Sequence, residues 1–148
     1  MEKPKIGVGC GGMILKEGKI LLGKRHDDPE KASSLLHGAG NWTMPGGKLH
    51  FLESFEEGAY IEFLEETGIM VNKDKLKIIS LTNDVVEDAH FITVGVFSEE
   101  FKGEPKVMEP DEITEWRWFS LNLLSTPLFF PSEKVLKNYF SKEVYKHV

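Results

Sequence analysis

The chain has one cysteine, Cys10, in 148 residues, so no intrachain disulfide can form. Basic residues are in deficit. Eighteen Lys and Arg stand against 24 Asp and Glu, a formal charge of −6 that argues against nonspecific binding to a nucleic acid polymer or an anionic membrane. No apolar run approaches the roughly 20 residues that cross a bilayer, and the first residues lack the apolar core of a signal peptide. The histidines His37, His50, His90 and His147 are scattered, with neither an H-x3-H spacing nor a cysteine partner, which excludes an ordinary zinc site. No internal repeat or low-complexity tract is present. With 41% apolar and 28% charged residues, the composition predicts one soluble, cytoplasmic domain over residues 1–148 with a proper core. Cys10 sits in an apolar run and reads as a small core residue.

Residues 45–69, P-G-G-K-L-H-F-L-E-S-F-E-E-G-A-Y-I-E-F-L-E-E-T-G-I, organise the rest. They predict a glycine turn, a short connection and a helix. Ser54 and Glu57 form an S-x-x-E capping box, and Gly68 stands where a left-handed residue ends a helix. Glu62, Glu65 and Glu66 fall in one sector about 100° wide near the C-terminal end. Glu62 and Glu66 are an i,i+4 like-charge pair costing roughly 0.2–0.5 kcal/mol, and the helix dipole disfavours acids at that end. A cation joining the cluster would offset both penalties. Three carboxylates suit a hard divalent ion, Mg²⁺ above all, with Mn²⁺ as the alternative.

On these residues the chain resembles the Nudix (MutT-like) hydrolases, whose signature is G-x5-E-x7-R-E-U-x-E-E-x-G-U with U a bulky aliphatic residue. Gly47, Glu53, Glu62, Phe63, Glu65, Glu66, Gly68 and Ile69 fall on it at the right spacing. Two positions depart: Phe63 at the first U, and Ile61 where the family carries an arginine that orients the catalytic carboxylates. The resemblance covers nearly the whole chain. It implies an α/β fold, an α/β/α sandwich with a mixed β-sheet, and dimers are common in the family. It also implies metal ligation by Glu62, Glu65, Glu66 and the Gly46 carbonyl, with Glu65 a ligand or the base. Glu53 supports the catalytic carboxylates, and Gly47 and Lys48 lie against the substrate.

The flanking segments supply further expectations. Residues 6–15 and 20–22 read as strands joined by the turn K-E-G-K. The glycines 7, 9, 11 and 12 are not followed by a P-loop lysine and helix, so a Walker motif is excluded. Lys24 and Arg25 close the second strand as a solvated basic end; the resemblance implies instead that they reach substrate phosphates. Residues 26–41 are too long and polar for a hairpin turn, and a lid and disorder both remain open. Residues 42–44 form a short strand, and residues 75–81 and 90–97 show strand character, the latter with period-2 alternation. Residues 107–119 read as an acidic loop with Glu109 and Glu112, either solvated or joining the site. The strand that follows puts Trp116 and Trp118 on one face as core. A helix from Ser132 carries Val135, Leu136, Tyr139 and Phe140 on its packing face. Phe129 and Phe130 read as core by default, and the resemblance implies that one of them, here Phe130, covers a base.

The expected function is Mg²⁺-dependent hydrolysis of a nucleoside diphosphate linkage, a (deoxy)nucleoside triphosphate giving monophosphate and pyrophosphate. Nucleotide sugars, dinucleoside polyphosphates and ADP-ribose are the alternative substrates. The chain lacks the extra N-terminal domain of many ADP-ribose members, which favours triphosphates. Ile61 motivates a further alternative, a noncatalytic or weakly active nucleotide-binding module.

Overall fold

A ten-residue glycine-rich strand, β1 (Gly7–Lys16), runs through the centre of the computed structural model, which describes residues 3–32, 34–124 and 127–146. It turns through Glu17 and Gly18, both left-handed with φ 52° and 76°, into antiparallel β2 (Lys19–Arg25). Positive φ at both central residues matches the twist of a two-residue hairpin. There follow β3 (Trp42–Thr43), β4 (Gly46–Lys48), α1 (Phe55–Thr67), β5 (Met70–Val71), β6 (Lys77–Val86), β7 (Ala89–Ser98), β8 (Phe101–Lys102), β9 (Ile113–Ser120) and α2 (Phe130–Ser141).

The main sheet runs β3-β2-β1-β7-β6, with β4 also on β1 and β9 also on β2; β5 and β8 form a separate pair. β1 and β7 are parallel from Gly7 opposite Phe91 to Ile14 opposite Ser98, and the other pairings are antiparallel. The sheet is therefore mixed. Alternation along β1 and β2 feeds two cores. Cys10, Ile14 and Leu21 join Ala59 and Phe63 of α1 on one face, while Met13, Leu15, Ile20 and Leu22 join Val135 and Leu136 of α2 on the other. One helix per face gives the α/β/α sandwich. Phe63, fully buried, lies so close over Gly12 that a Cβ there would sit 2.3 Å from its ring, and its burial contributes on the order of 2–3 kcal/mol.

α1 is bounded as its sequence predicts. Ser54 accepts from the Glu57 amide at 3.1 Å, the Glu57 carboxylate accepts from the Ser54 amide at 3.4 Å, and Gly68 is left-handed at φ 78°. Trp116 and Trp118 pack against the α1-side core. Three expectations are corrected. The glycine turn at 46–47 is a strand, because both residues pair with β1, Gly46 opposite Gly11 and Gly47 opposite Cys10, and neither has positive φ. α2 begins at Phe130, two residues before Ser132, with Pro131 inside its first turn where the missing amide leaves no bond unmade. Phe140 is 55% exposed rather than packed, since it lies in the last turn and meets Tyr139 edge-on at 5.5 Å. Among the described residues no helix is long and apolar enough to cross a membrane.

Candidate active site

A pocket of about 610 Å³ opens between α1, the start of α2 and the loop after β2. Its lining combines two chemistries. Glu62, Glu65, Glu66, Glu109 and Glu112 contribute carboxylates, beside Gly46, Gly47 and Lys48. Leu35, Leu36, Met44, Phe91, Phe129 and Val135 contribute apolar surface.

The acidic lining is built by the pairing of β4 with β1 and by the approach of α1. The Gly46 amide donates to Glu66 Oε2 at 3.0 Å, tying the last turn of α1 to β4. Glu62 lies directly on Gly47, where a Cβ would sit 2.3 Å from its Oε2. A Cβ at Gly46 would sit 2.0 Å from the Cys10 carbonyl oxygen. The two glycines are required for close approach of chain to chain, not for turn dihedrals. Burial raises the Glu62 carboxyl, helped by Glu65, while His50 works the other way. Burial pushes Glu66 well above the carboxylate range against the Gly46 bond, with Glu62, Glu109 and Glu112 adding to it. Glu109 is raised by burial, then by Glu112 and Glu65. Backbone bonds from the Glu112 and Ile113 amides to the Glu109 carbonyl, both 3.0 Å, fold this loop into a turn beside the helix.

Among the described residues no ion pair neutralises these carboxylates. Their hard oxygen chemistry, with a glycine cradle that any Cβ would fill, fits a divalent cation. Among the described residues no three His, Cys, Asp or Glu side chains are yet drawn together tightly enough to hold one.

The remaining predicted residues are distributed less simply. Glu53 does not line the pocket; its Oε1 accepts from the His50 amide at 2.7 Å and faces His50 Nδ1 at 3.2 Å. It lies over α1 at Gly58, where a Cβ would sit 3.4 Å from Oε1, one turn before Ile61. Ile61 is 37% exposed and outside the pocket. Lys24 does not line the pocket either, and bonds Asp27 at 2.8 Å. Neighbours along β2 point to opposite faces, so Lys24 and Arg25 do not share a ligand. Arg25 does line the pocket, buried and held by loop carbonyls. Phe129, not Phe130, faces the cavity, because Phe130 is already the first residue of α2. The described part of residues 26–41 forms a wall of the pocket, through Ala32, Ser34, Leu35 and Leu36; Ser33 lies outside the described residues.

Sequence reasoning missed His50, Phe91 and Thr93, left residues 26–41 as either a lid or disorder, and chose Phe130 over Phe129. His50 lies in the unspecified gap of the signature, and Phe91 and Thr93 alternate within β7, but nothing local marks them as facing a cavity. Burial pushes the Cys10 thiol up to about 12, which removes it as a nucleophile.

Residues 3–139 match the NUDIX domain family. An ADP-ribose pyrophosphatase of Methanocaldococcus jannaschii is 33% identical over 132 residues, covering 89% of this chain and 72% of the relative. An oxidized purine nucleoside triphosphate hydrolase of Danio rerio is 30% identical over 112 residues, covering 74% and 64%. The crystal structure of a MutT NUDIX hydrolase from Burkholderia pseudomallei superposes with a TM-score of 0.79 at 32% identity, over 90% of this chain and 98% of that one.

Proposed function

The chain is a hydrolase of the NUDIX domain family, and on that premise we propose that it cleaves a nucleoside triphosphate to the monophosphate and pyrophosphate. The observation that carries the reading is the pocket's mixed lining: five carboxylates together with aromatic and aliphatic side chains. A nucleotide has the matching halves. Its phosphates need a cation to approach the acids, and its base needs an apolar, stackable surface.

Glu62 and Glu66, with the Gly46 carbonyl and Glu65, are the residues that would hold the cation, Mg²⁺ by preference and Mn²⁺ as the alternative. When bound, that ion neutralises phosphate charge as it develops along the displacement. The chain's own groups do the rest. Gly46 and Gly47 bring the backbone of β4 against the carboxylates. Lys48, 5.7 Å over the Phe91 ring, supplies a positive charge in the pocket lining. Water attacks phosphorus, the bridging P–O bond breaks and pyrophosphate leaves. A proton of the attacking water passes to a carboxylate, Glu65 or Glu109, of which Glu109 has its proton affinity raised by burial. Glu53, anchored by His50, supports α1 from the side. Phe129 covers the base.

The test is product release from a panel of ordinary and oxidised nucleoside triphosphates, nucleotide sugars, dinucleoside polyphosphates and ADP-ribose. Pyrophosphate with monophosphate, from triphosphates in preference to the others, is the expected result. The relative named as an ADP-ribose pyrophosphatase motivates the second reading, and preferential turnover of ADP-ribose would select it.

A further inference from the structure

The pairing of β2 with β9 slips between Lys24 and Arg25: Lys24 lies opposite Glu115 but Arg25 opposite Ile113, leaving Thr114 as an extra residue. Such bulges re-aim side chains. Here the slip occurs at Arg25, which is 6% exposed. Its Nη1 donates to the His37 carbonyl and its Nη2 to the Ala32 carbonyl. The guanidinium carbon lies 4.6 Å from the Phe129 ring centroid. Among the described residues no carboxylate lies within ion-pair distance of it. The loop backbone conforms to this arrangement. His37 and Gly38 are both left-handed, at φ 66° and 88°, and a Cβ on Gly38 would sit 2.6 Å from Phe129 and 2.9 Å from Arg25 Nη1.

A planar fork bonded to two carbonyls and stacked on a ring is committed to those partners. Both carbonyls belong to the loop after β2, whose Leu35 and Leu36 line the pocket, and the Phe129 ring lines it as well. We propose that Arg25 is a positioning residue that clamps Ala32, His37 and Phe129 together and so shapes the apolar lining that receives the nucleoside, rather than a ligand of the substrate's phosphates. The proposal rests on the nucleotide reading above for its ligand, though the clamp itself does not.

The neck of the loop is closed independently, by the Arg25 amide to the Asn41 carbonyl at 2.9 Å and the Gly40 amide to the His26 carbonyl at 3.0 Å. Arg25→Lys therefore leaves the sheet intact while removing the fork. Two measurements decide the matter. In hydrogen–deuterium exchange, the amides of Leu36 and His37, which donate to Ser34, should exchange faster in Arg25→Lys than in the parent. In titrations with divalent cation present, a nucleoside monophosphate should bind about tenfold more weakly, while inorganic pyrophosphate should bind within about twofold of the parent. Phe129→Leu keeps the guanidinium and removes its stacking face, and should move both readouts the same way by less. Unchanged exchange in both variants overturns the clamp. Loss of pyrophosphate binding equal to the loss for the monophosphate overturns the assignment and restores Arg25 as a phosphate ligand. If the parent turns over no triphosphate, the functional reading fails while the exchange result still decides the clamp.

Discussion

A carboxylate buried beside other carboxylates destabilises the fold until a cation reaches it, and Glu66 is in that position. Its folded pKa is raised, so the folded chain holds the proton more tightly than the unfolded one, whose value is near 4.5. The contribution of Glu66 to the stability of the metal-free protein is then fully present below that value and is lost as pH rises through the folded pKa. Glu66→Gln removes the charge and keeps an oxygen for the Gly46 amide. In chelator at neutral pH the variant should melt roughly 2–5 °C above the parent, and its melting temperature should depend less on pH, although turnover is lost. A variant that melts lower than the parent across the range would show that the carboxylate stabilises the metal-free fold. Ile61 offers the opposite experiment. An arginine there stands one turn past Gly58, within reach of Glu53 and of Glu65 at i+4. Ile61→Arg should raise kcat/KM about tenfold, the scale of an orienting residue around a metal site. A lower rate would show a site rebuilt around isoleucine.

At the scale of elements, α1 carries the site and its caps fix where it starts and stops. Ser54→Ala removes the hydroxyl that accepts from the Glu57 amide, leaving the backbone half of the capping box, and should cost about 1 kcal/mol, read as a fall in melting temperature of a few degrees with turnover unchanged at room temperature. A matching loss of turnover would mean that the cap also aims the carboxylates. This helix was legible in the sequence because its signals are local: Ser54 and Glu57 three apart, Gly68 at the end, acids one turn from one another. What escaped depends on partners distant in sequence. Gly46 and Gly47 read as a turn, and only their register on β1 makes them a strand. Arg25 reads as a strand-end cation or, by the resemblance, a phosphate contact, and its place in the pocket wall depends on the loop carbonyls of Ala32 and His37. Phe129 and Phe130 are adjacent, and which one faces the cavity depends on α2 starting at the second of them.

For the whole molecule, the sandwich places one core against each helix and leaves the pocket where α1, α2 and the loop after β2 converge on β1 and β4. The net charge of −6 and the five glutamates at the site make the protein repel a polyphosphate unless a cation intervenes. Positive charge at the pocket comes from Lys48 and from Arg25, the latter committed to the loop. Cation dependence is therefore built into the charge distribution as well as into the α1 carboxylates. The decisive measurement is pyrophosphate release from a nucleoside triphosphate as divalent cation is titrated, for the parent and for Glu66→Gln. Saturable release with the cation, none in chelator, and a loss of at least about 100-fold in the variant are the results predicted here. Turnover that persists in chelator, or that survives intact in Glu66→Gln, would contradict a cation-dependent reaction organised by the α1 carboxylates.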